Sequence, residues 1–326
     1  MKVFVTGGTG FVGVHVVAAL RARGHEVSCL VRDPAKARTV FTDGVAPALV
    51  SGDLADTEAL ARGVRDADAV VHLAGLIAAR SRQEMFAVNA EGTRALVEVV
   101  RAAGTSVRSF VHVSSLTAAG PVDTNGVVPA TGAEASPVSD YGRSKLAGEA
   151  HVGTLPIAWT ILRPPAVYGA WDREFLRLFR IAARGLAPMF GDGRQRLSLV
   201  YAPDLAAAIV ACIERPPPPG AYYPAHREQT TQRVLVASIG TALGKRVRVV
   251  ALPRAIVRPL CWISGNAAKL AGQATLLSPD KANELLADAW VCQPTALETA
   301  TGWHAETDLE TGLSATAAWY REKRWL

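Results

Sequence analysis

Tyr141 and Lys145 stand four residues apart in Tyr141-Gly142-Arg143-Ser144-Lys145, a spacing that puts both side chains on one face of a helix. A phenol titrates near ~10 and is a poor base at neutral pH. An ammonium close by favours the phenolate and lowers that value, and it can also donate hydrogen bonds to a sugar hydroxyl. A phenol tuned in this way exchanges a proton with a substrate oxygen, an effect worth about 10²–10⁴ in rate. Ser114 and Ser115 close the apolar run Val111-His112-Val113, where a hydroxyl can hold a carbonyl or alcohol oxygen beside the phenol. Ser115 is the expected catalytic serine of the two; the plain alternative is that both only cap the strand. Tyr-x-x-x-Lys recurs by chance on helix surfaces, so it carries weight only in company.

That company stands at the other end of the chain. Val3-Phe4-Val5-Thr6 is an apolar, β-branched run that breaks into Gly7-Gly8-Thr9-Gly10-Phe11-Val12-Gly13 and then into the helical pattern Val14–Leu20. Gly8, Gly10 and Gly13 fit G-x-G-x-x-G, while Gly7, Gly10 and Gly13 fit the looser T-G-x-x-G-x-x-G. Backbone N–H groups of such a turn, through Phe11 and Val12, approach a pyrophosphate at the positive end of the helix. Gly13 lets that helix pack close to the strand. A dinucleotide is the expected ligand.

The elements that position these residues alternate. Val27–Val31, Ala48–Val50, Ala69–Leu73, Phe110–Ser114 and Ala158–Leu162 read as strands after the first one. Val14–Arg23, Thr57–Gly63, Glu91–Ala103 and Tyr141–His151 read as helices between them. Short apolar strands separated by helices predict an α/β fold, a Rossmann-type doubly wound parallel sheet with both faces covered. Its ligands bind beyond the carboxyl ends of the strands, where the motifs fall. After Gly169 the rhythm changes: a helix over Asp172–Arg184, a Gly-rich turn at Gly191–Gly193, a strand at Leu197–Tyr201, a helix over Asp204–Glu214 and a stiff break at Pro216–Pro219. We expect residues 1–169 to form the dinucleotide-binding domain, with 197–215 returning to it. Residues 170–196 and 216–326 form a smaller, helix-rich, C-terminal substrate-binding region.

The chain has 326 residues, 49% of them hydrophobic, and a formal charge of +6. Its basic residues are scattered, which argues against nucleic acid and allows at most help in holding an anionic cofactor. Cys29, Cys212, Cys261 and Cys292 are far apart, as in a reduced cytoplasmic protein, and no metal site is expected. The first strand begins at once, leaving no room for a signal peptide. Ala251–Ala271, the most lipophilic later stretch, is interrupted by Pro253, Arg254, Arg258, Pro259 and Lys269, too often for a membrane span. A lid, core packing or a membrane-surface contact remain as its readings.

Together these pieces resemble the extended short-chain dehydrogenase/reductase family, also called the NAD-dependent epimerase/dehydratase family, over almost the whole chain. Thr6–Gly13 resembles its nucleotide turn. Gly52-Asp53-Leu54 resembles the segment whose acid meets adenine, and His72-Leu73-Ala74-Gly75 the loop after the fourth strand. Asn89-Ala90-Glu91-Gly92-Thr93 resembles the family's Asn-x-x-Gly-Thr, and Arg163-Pro164-Pro165-Ala166-Val167-Tyr168-Gly169 the loop that passes the nicotinamide. The resemblance implies cofactor contacts from Asp53, Leu54, Leu73, Ala74, Gly75, Asn89, Pro164 and Val167. It also implies Tyr141 as acid/base, Lys145 tuning it and holding ribose, and Ser115 orienting the substrate. Family members are often dimers through helices equivalent to Glu91–Ala103 and Tyr141–His151, which makes a homodimer an expectation.

NAD-preferring members place an acid where this second strand has Val31. Here Arg32, assisted by Lys36, can pair with a ribose 2′-phosphate, so NADP(H) is favoured; Asp33 keeps NAD(H) open, and a solvent-facing Arg32–Asp33 pair is the plain alternative. The reaction expected is hydride transfer between nicotinamide and a secondary alcohol or ketone. An epimerase or dehydratase holding NAD tightly is the alternative, although Ser115-Leu116-Thr117-Ala118 offers no carboxylate for a dehydratase. A cofactor sensor without turnover is the third reading. Trp171, Phe175, Phe179, Met189, Phe190, Ile256, Leu260, Trp262, Ile263 and Leu270 make the substrate side apolar, which favours a hydrophobic or polycyclic substrate; a packed lid or an interface between subunits would show the same list. Leu186–Asp204 and Leu252–Trp290 resemble the 3β-hydroxysteroid dehydrogenase branch, and Val31-Arg32-Asp33 its dihydroflavonol-reductase-like neighbours. A sugar diphosphate would want a basic clamp, for which Arg194 and Arg196 are the candidates.

Overall fold

The structure, a computed structural model, describes residues 1–41, 46–104, 106–123 and 135–326. β1 (Lys2–Thr6) leads into α1 (Phe11–Ala22), β2 (Glu26–Val31), α2 (Pro34–Val40), β3 (Ala48–Ser51), α3 (Thr57–Val64) and β4 (Ala69–His72). α4 (Arg82–Phe86) continues through a π-helical turn (Ala87–Glu91) into α5 (Gly92–Ala102), followed by β5 (Ser109–Val113), α6 (Leu116–Ala119), α7 (Asp140–Val152) and β6 (Ala158–Leu162). Next come β7 (Ala166–Tyr168), α8 (Arg173–Ala183), β8 (Leu186–Phe190), β9 (Arg196–Leu197), β10 (Leu199–Tyr201), α9 (Ala202–Glu214) and β11 (Gly220–Tyr222). β12 (Thr230–Thr231), α10 (Gln232–Leu243), β13 (Arg248–Leu252), α11 (Val257–Leu270), α12 (Lys281–Leu285), β14 (Ala289–Trp290), α13 (Thr295–Thr301) and α14 (Leu309–Glu322) complete the chain.

Seven strands form one parallel sheet in the order β11-β6-β5-β4-β1-β2-β3. β4 and β5 are buried along their whole length, because helices cover both faces of the sheet. Val16, Val17 and Leu20 of α1 pack with Leu205 and Ile209 of α9 on one face; Leu60, Leu96 and Val152, from α3, α5 and α7, pack with Phe4 and Phe110 on the other. The chain leaves β1 in one direction for β2 and β3 and in the other for β4, β5 and β6. A crevice therefore opens beyond Thr6 and His72, the switch point where such sheets bind ligands.

Two features lay beyond sequence reading. β11 joins β6 from within 216–326, so the central sheet takes a strand from the stretch assigned above to the substrate side; Gly-Ala-Tyr is too short to show strand periodicity. Phe179 and Met189, expected to line the substrate, are fully buried core side chains instead. Phe179 packs with Tyr168, Ile239 and Tyr320 where α8, α10 and α14 meet.

A buried ion pair ties β5, α7, β6 and β11 together behind the crevice. Arg163 donates to Glu149 through Nη2 at 2.6 Å and Nε at 3.0 Å, and through Nη1 to the hydroxyl of Tyr223 at 3.2 Å. Ser114 donates to the same carboxylate at 2.5 Å. Burial alone would lower the Arg163 pKa, but hydrogen bonds and attraction to Glu149 hold it above its usual value. Removing one partner strands the other in a dry interior, at a cost of about 3–5 kcal/mol. Arg163→Met is expected to lower unfolding stability in urea by about that amount, and the double variant Glu149→Gln/Arg163→Met to regain much of the loss.

Candidate active site

α7 delivers Tyr141 and Lys145 to the end of β5. Ser139 caps the helix by accepting from the Gly142 amide, and a Cβ on Gly142 would lie 2.3 Å from the Thr117 carbonyl. The first turn of α7 thus rests directly on the segment after Ser115. Lys145 is only 3% exposed, and its Nζ donates to the Val113 carbonyl at 2.8 Å. Burial pulls its pKa down to about 8, against an opposing pull from Glu149 one turn along.

Tyr141 is half-buried. Burial pushes its phenol up to about 12; a hydrogen bond with Ser115 lowers it, and the charge of Glu284 raises it. The Lys145 ammonium, expected to lower this value, donates to the strand end at Val113. Ser115 accepts from the Thr117 amide at 3.2 Å and the Thr117 hydroxyl at 2.8 Å. Both bonds use its lone pairs, so its own O–H is free for the phenol. A donor at that place stabilises the phenolate, which accounts for the downward effect. Ser114 is buried and committed to Glu149, which separates the two serines.

The glycine turn meets the loop after β4 backbone to backbone. Gly7 has φ +76°, and a Cβ there would lie 2.6 Å from the Ala74 amide nitrogen and 2.8 Å from the Leu73 carbonyl carbon. A Cβ on Gly13 would lie 2.1 Å from the Gly7 carbonyl oxygen. Gly10 is the N-cap of α1, and no side chain caps that terminus, so the amides around Phe11 and Val12 face the crevice without a side-chain acceptor. These features fit a pyrophosphate. Gly75 completes the ring of elements: a Cβ on it would be 3.0 Å from Asn89 Oδ1 and 3.7 Å from Lys145 Nζ.

Asn89 acts through this loop. It is fully buried in the π-helical turn; its Oδ1 accepts from the Leu76 amide at 2.7 Å, and its Nδ2 donates to the Leu76 carbonyl and to Ser144 Oγ, both at 2.9 Å. Pro164 is tied in by its carbonyl, which accepts from the Leu116 amide at 2.8 Å, and Val167 lies in β7, paired with β10. Leu54 packs on Gly92, while the exposed Asp53 accepts from the Ala55 amide.

At the end of β2, Asp33 caps α2, its Oδ1 accepting from the amides of Ala35 and Lys36 at 2.9 and 3.0 Å. The plain alternative, a solvent-facing pair of Asp33 with Arg32, does not form among the described residues. Arg32 and Lys36 are exposed, and neither side chain has a hydrogen bond or ion pair among the described residues. Arg194 and Arg196 are engaged elsewhere, with Asp192 and Gln229.

Three residues beside the site had been given no role by the sequence. Glu284 arrives from α12, which docks on the start of α7: Asp280 accepts from the Asp140 amide at 2.6 Å, and Asn283 donates to the Val138 carbonyl at 3.2 Å. Glu284 is buried, with Lys281 on one oxygen and no hydrogen-bond partner for the other among the described residues. His72 and His112 are register partners on β4 and β5 and stack at 5.1 Å. Thr93 donates to the Asn89 carbonyl, so His72 Nε2 must donate to Thr93, at 2.9 Å, and its Nδ1 must accept from Thr6, at 2.6 Å. Burial, and then the charge of Lys145, lower the His72 pKa to about 3 and that of His112 well below 6.5. Both ring nitrogens of His112 lack a protein partner among the described residues.

Two imidazoles held neutral give a signed pH dependence. Unfolded histidine takes up a proton near pH 6.5 while the folded ones do not, so stability falls as pH drops below that value. His112→Leu is expected to make denaturant stability between pH 6.5 and 4 less steeply pH-dependent than in the native protein; an unchanged slope would place the acid sensitivity elsewhere.

With this geometry in place, comparison with known proteins is direct. A family model for the NAD dependent epimerase/dehydratase family matches residues 3–223. The chain is 32% identical to a ceramide reductase of Caulobacter vibrioides over 327 residues, covering 99% of this chain and 96% of that protein. It is 30% identical to a 3-beta-hydroxysteroid dehydrogenase of Mycolicibacterium neoaurum over 240 residues, 67% of this chain and 62% of the other. Among solved structures, the UDP-glucose 4-epimerase of Thermus thermophilus in complex with NAD superposes with a TM-score of 0.78 at 24% identity, over 98% of this chain and 99% of that one; at that identity the likeness concerns the fold.

Proposed function

The chain belongs to the NAD dependent epimerase/dehydratase family, and we propose that it works there as an NAD(P)-dependent reductase of a ketone on a hydrophobic, long-chain substrate. The observation that carries the reaction is the Tyr141–Ser115 pair set beside the buried Lys145 at the end of β5, across from the glycine turn. The long-chain substrate is supported by likeness to a ceramide reductase over nearly the full length of both chains.

A bound nicotinamide dinucleotide supplies the hydride. The amides around Gly10–Gly13 would hold its pyrophosphate, Leu73–Gly75, Pro164 and Val167 would border its nicotinamide half, and Asp53 and Leu54 its adenine. Lys145 gives one hydrogen to Val113 and has two left for ribose hydroxyls. Tyr141, protonated at neutral pH, donates to the carbonyl oxygen as charge develops there, while the Ser115 hydroxyl orients that oxygen and supports the phenolate left behind. Arg32 and Lys36, exposed and without a side-chain partner among the described residues, offer a ribose 2′-phosphate two cations, and Asp33 is occupied as a cap; this supports NADP(H) over NAD(H).

Tyr141→Phe is expected to lower kcat at least about 10²-fold while leaving NADPH affinity, read by nucleotide fluorescence, nearly unchanged. Undiminished turnover would remove Tyr141 from its role. Arg32→Ala is expected to weaken NADPH binding about tenfold or more and NADH binding hardly at all; equal losses would argue for NAD. Purified protein that retains NAD through dialysis would transfer the reading to an epimerase, whose cofactor is not exchanged.

A further inference from the structure

We propose that α11 rests along an anionic lipid surface, with its exposed apolar stripe in the acyl boundary and its basic edge among the headgroups. Ile256, in the turn that leads into α11, and Leu260, Ile263, Ala267 and Leu270 within it recur at i, i+4, i+7, i+11 and i+14, the spacing of one continuous stripe. All are exposed, Ile263 at 60% and Leu270 at 91%. The opposite flank already has its partner: Val257 and Cys261 are buried against Ala282, with Phe190, Leu285 and Leu286 around them. The stripe is therefore left over after the helix has been fixed to the body.

Its edge and its charge point to lipid. Arg258, Trp262 and Lys269, at i, i+4 and i+11, share the helix edge beside the stripe. Trp262 is 62% exposed, and neither the Arg258 nor the Lys269 side chain has a hydrogen bond or ion pair among the described residues. An indole between cations suits the headgroup region, where its apolar ring and N–H are both satisfied. No Asp or Glu occurs between Glu228 and Asp280, a stretch that holds seven Lys and Arg, so anionic lipid meets attraction along the whole segment. The helix has 14 residues, about 21 Å at ~1.5 Å each. That is short of the ~30 Å hydrocarbon core, and among the described residues no helix is long and apolar enough to cross a membrane. α11 thus lies on the surface rather than across it. α12, packed on α11, carries Glu284 toward Tyr141, which places the lipid-facing helix one element from the site. The surface contact stands whether or not the substrate is itself a lipid.

The test is flotation of the full chain with vesicles of equal parts phosphatidylcholine and phosphatidylglycerol, and with phosphatidylcholine alone. The expected result is binding to the anionic vesicles that weakens with salt, and a blue shift of tryptophan emission that Trp262→Phe largely removes. Ile263→Ser/Leu270→Ser should cut vesicle affinity about tenfold or more, and Arg258→Glu/Lys269→Glu should abolish the preference for phosphatidylglycerol. Thermal midpoints are expected to stay at the native value. Absence of flotation at low salt, or flotation undiminished in Ile263→Ser/Leu270→Ser, overturns the proposal. A lipid-free dimer that Ile263→Ser/Leu270→Ser dissociates, without flotation, overturns it in favour of a second copy of the chain.

Discussion

A lysine ammonium held almost out of water at the end of the central sheet is the constraint around which this site is arranged. Lys145 must be solvated by protein, and β5 supplies one carbonyl, at Val113, directly in its reach. Glu149 stands one turn further along α7 and favours the charge, yet burial wins and the pKa falls to about 8. Burial first, and then the same charge, keep the neighbouring imidazoles neutral: His72 and His112 lie in the adjoining strands, where a second cation would be desolvated and repelled. The tautomer of His72 follows in turn, fixed between Thr6 and Thr93.

The carboxylate that favours Lys145 also anchors the layer behind it. Glu149 accepts from Ser114 and Arg163, and Arg163 reaches on to Tyr223, just past the last strand of the sheet. One buried anion therefore stands between α7 and the loop that begins at Pro164. Ser114 is drawn back by this network while Ser115, the next residue, turns the other way to cap α6 and meet the phenol. Adjacent serines on an extended strand end point to opposite sides, and that alternation assigns their different tasks.

Much of this was legible in the chain because it is local. The six strands and the helices between them announce themselves by apolar runs of the right length, and the glycine turn by its context. Tyr141 and Lys145 declare a shared face by spacing alone. What stayed hidden is tertiary. Glu284 lies far along the chain and reaches Tyr141 only because Asp280 and Asn283 dock α12 on α7. β11 has three residues, too few for a pattern, and is specified by pairing with β6. Phe179 looked like a pocket residue because an apolar helix face reads the same whether it lines a cavity or closes a core; Tyr320, from the far end of the chain, decides it. The partner of Lys145 was hidden for a related reason: spacing fixes the face of the helix and leaves open which acceptor the ammonium meets, here the Val113 carbonyl.

The electrostatics of the site also set the resting state of its phenol. A phenol pushed up to about 12 is fully protonated at neutral pH, ready to donate without any prior ionisation. To serve as a base, the same group must first lose its proton against burial and against the charge of Glu284, a difference that grows by about 1.4 kcal/mol for every unit the pKa stands above ambient pH. Reduction of a carbonyl asks for the donor that is already present; oxidation of an alcohol asks for the phenolate that the surroundings oppose. Ser115 narrows the gap by donating to the phenolate, and it does so at the position a substrate oxygen would share. The phenol at this place therefore rests as a proton donor, with the Ser115 hydroxyl set to support the phenolate that donation would leave.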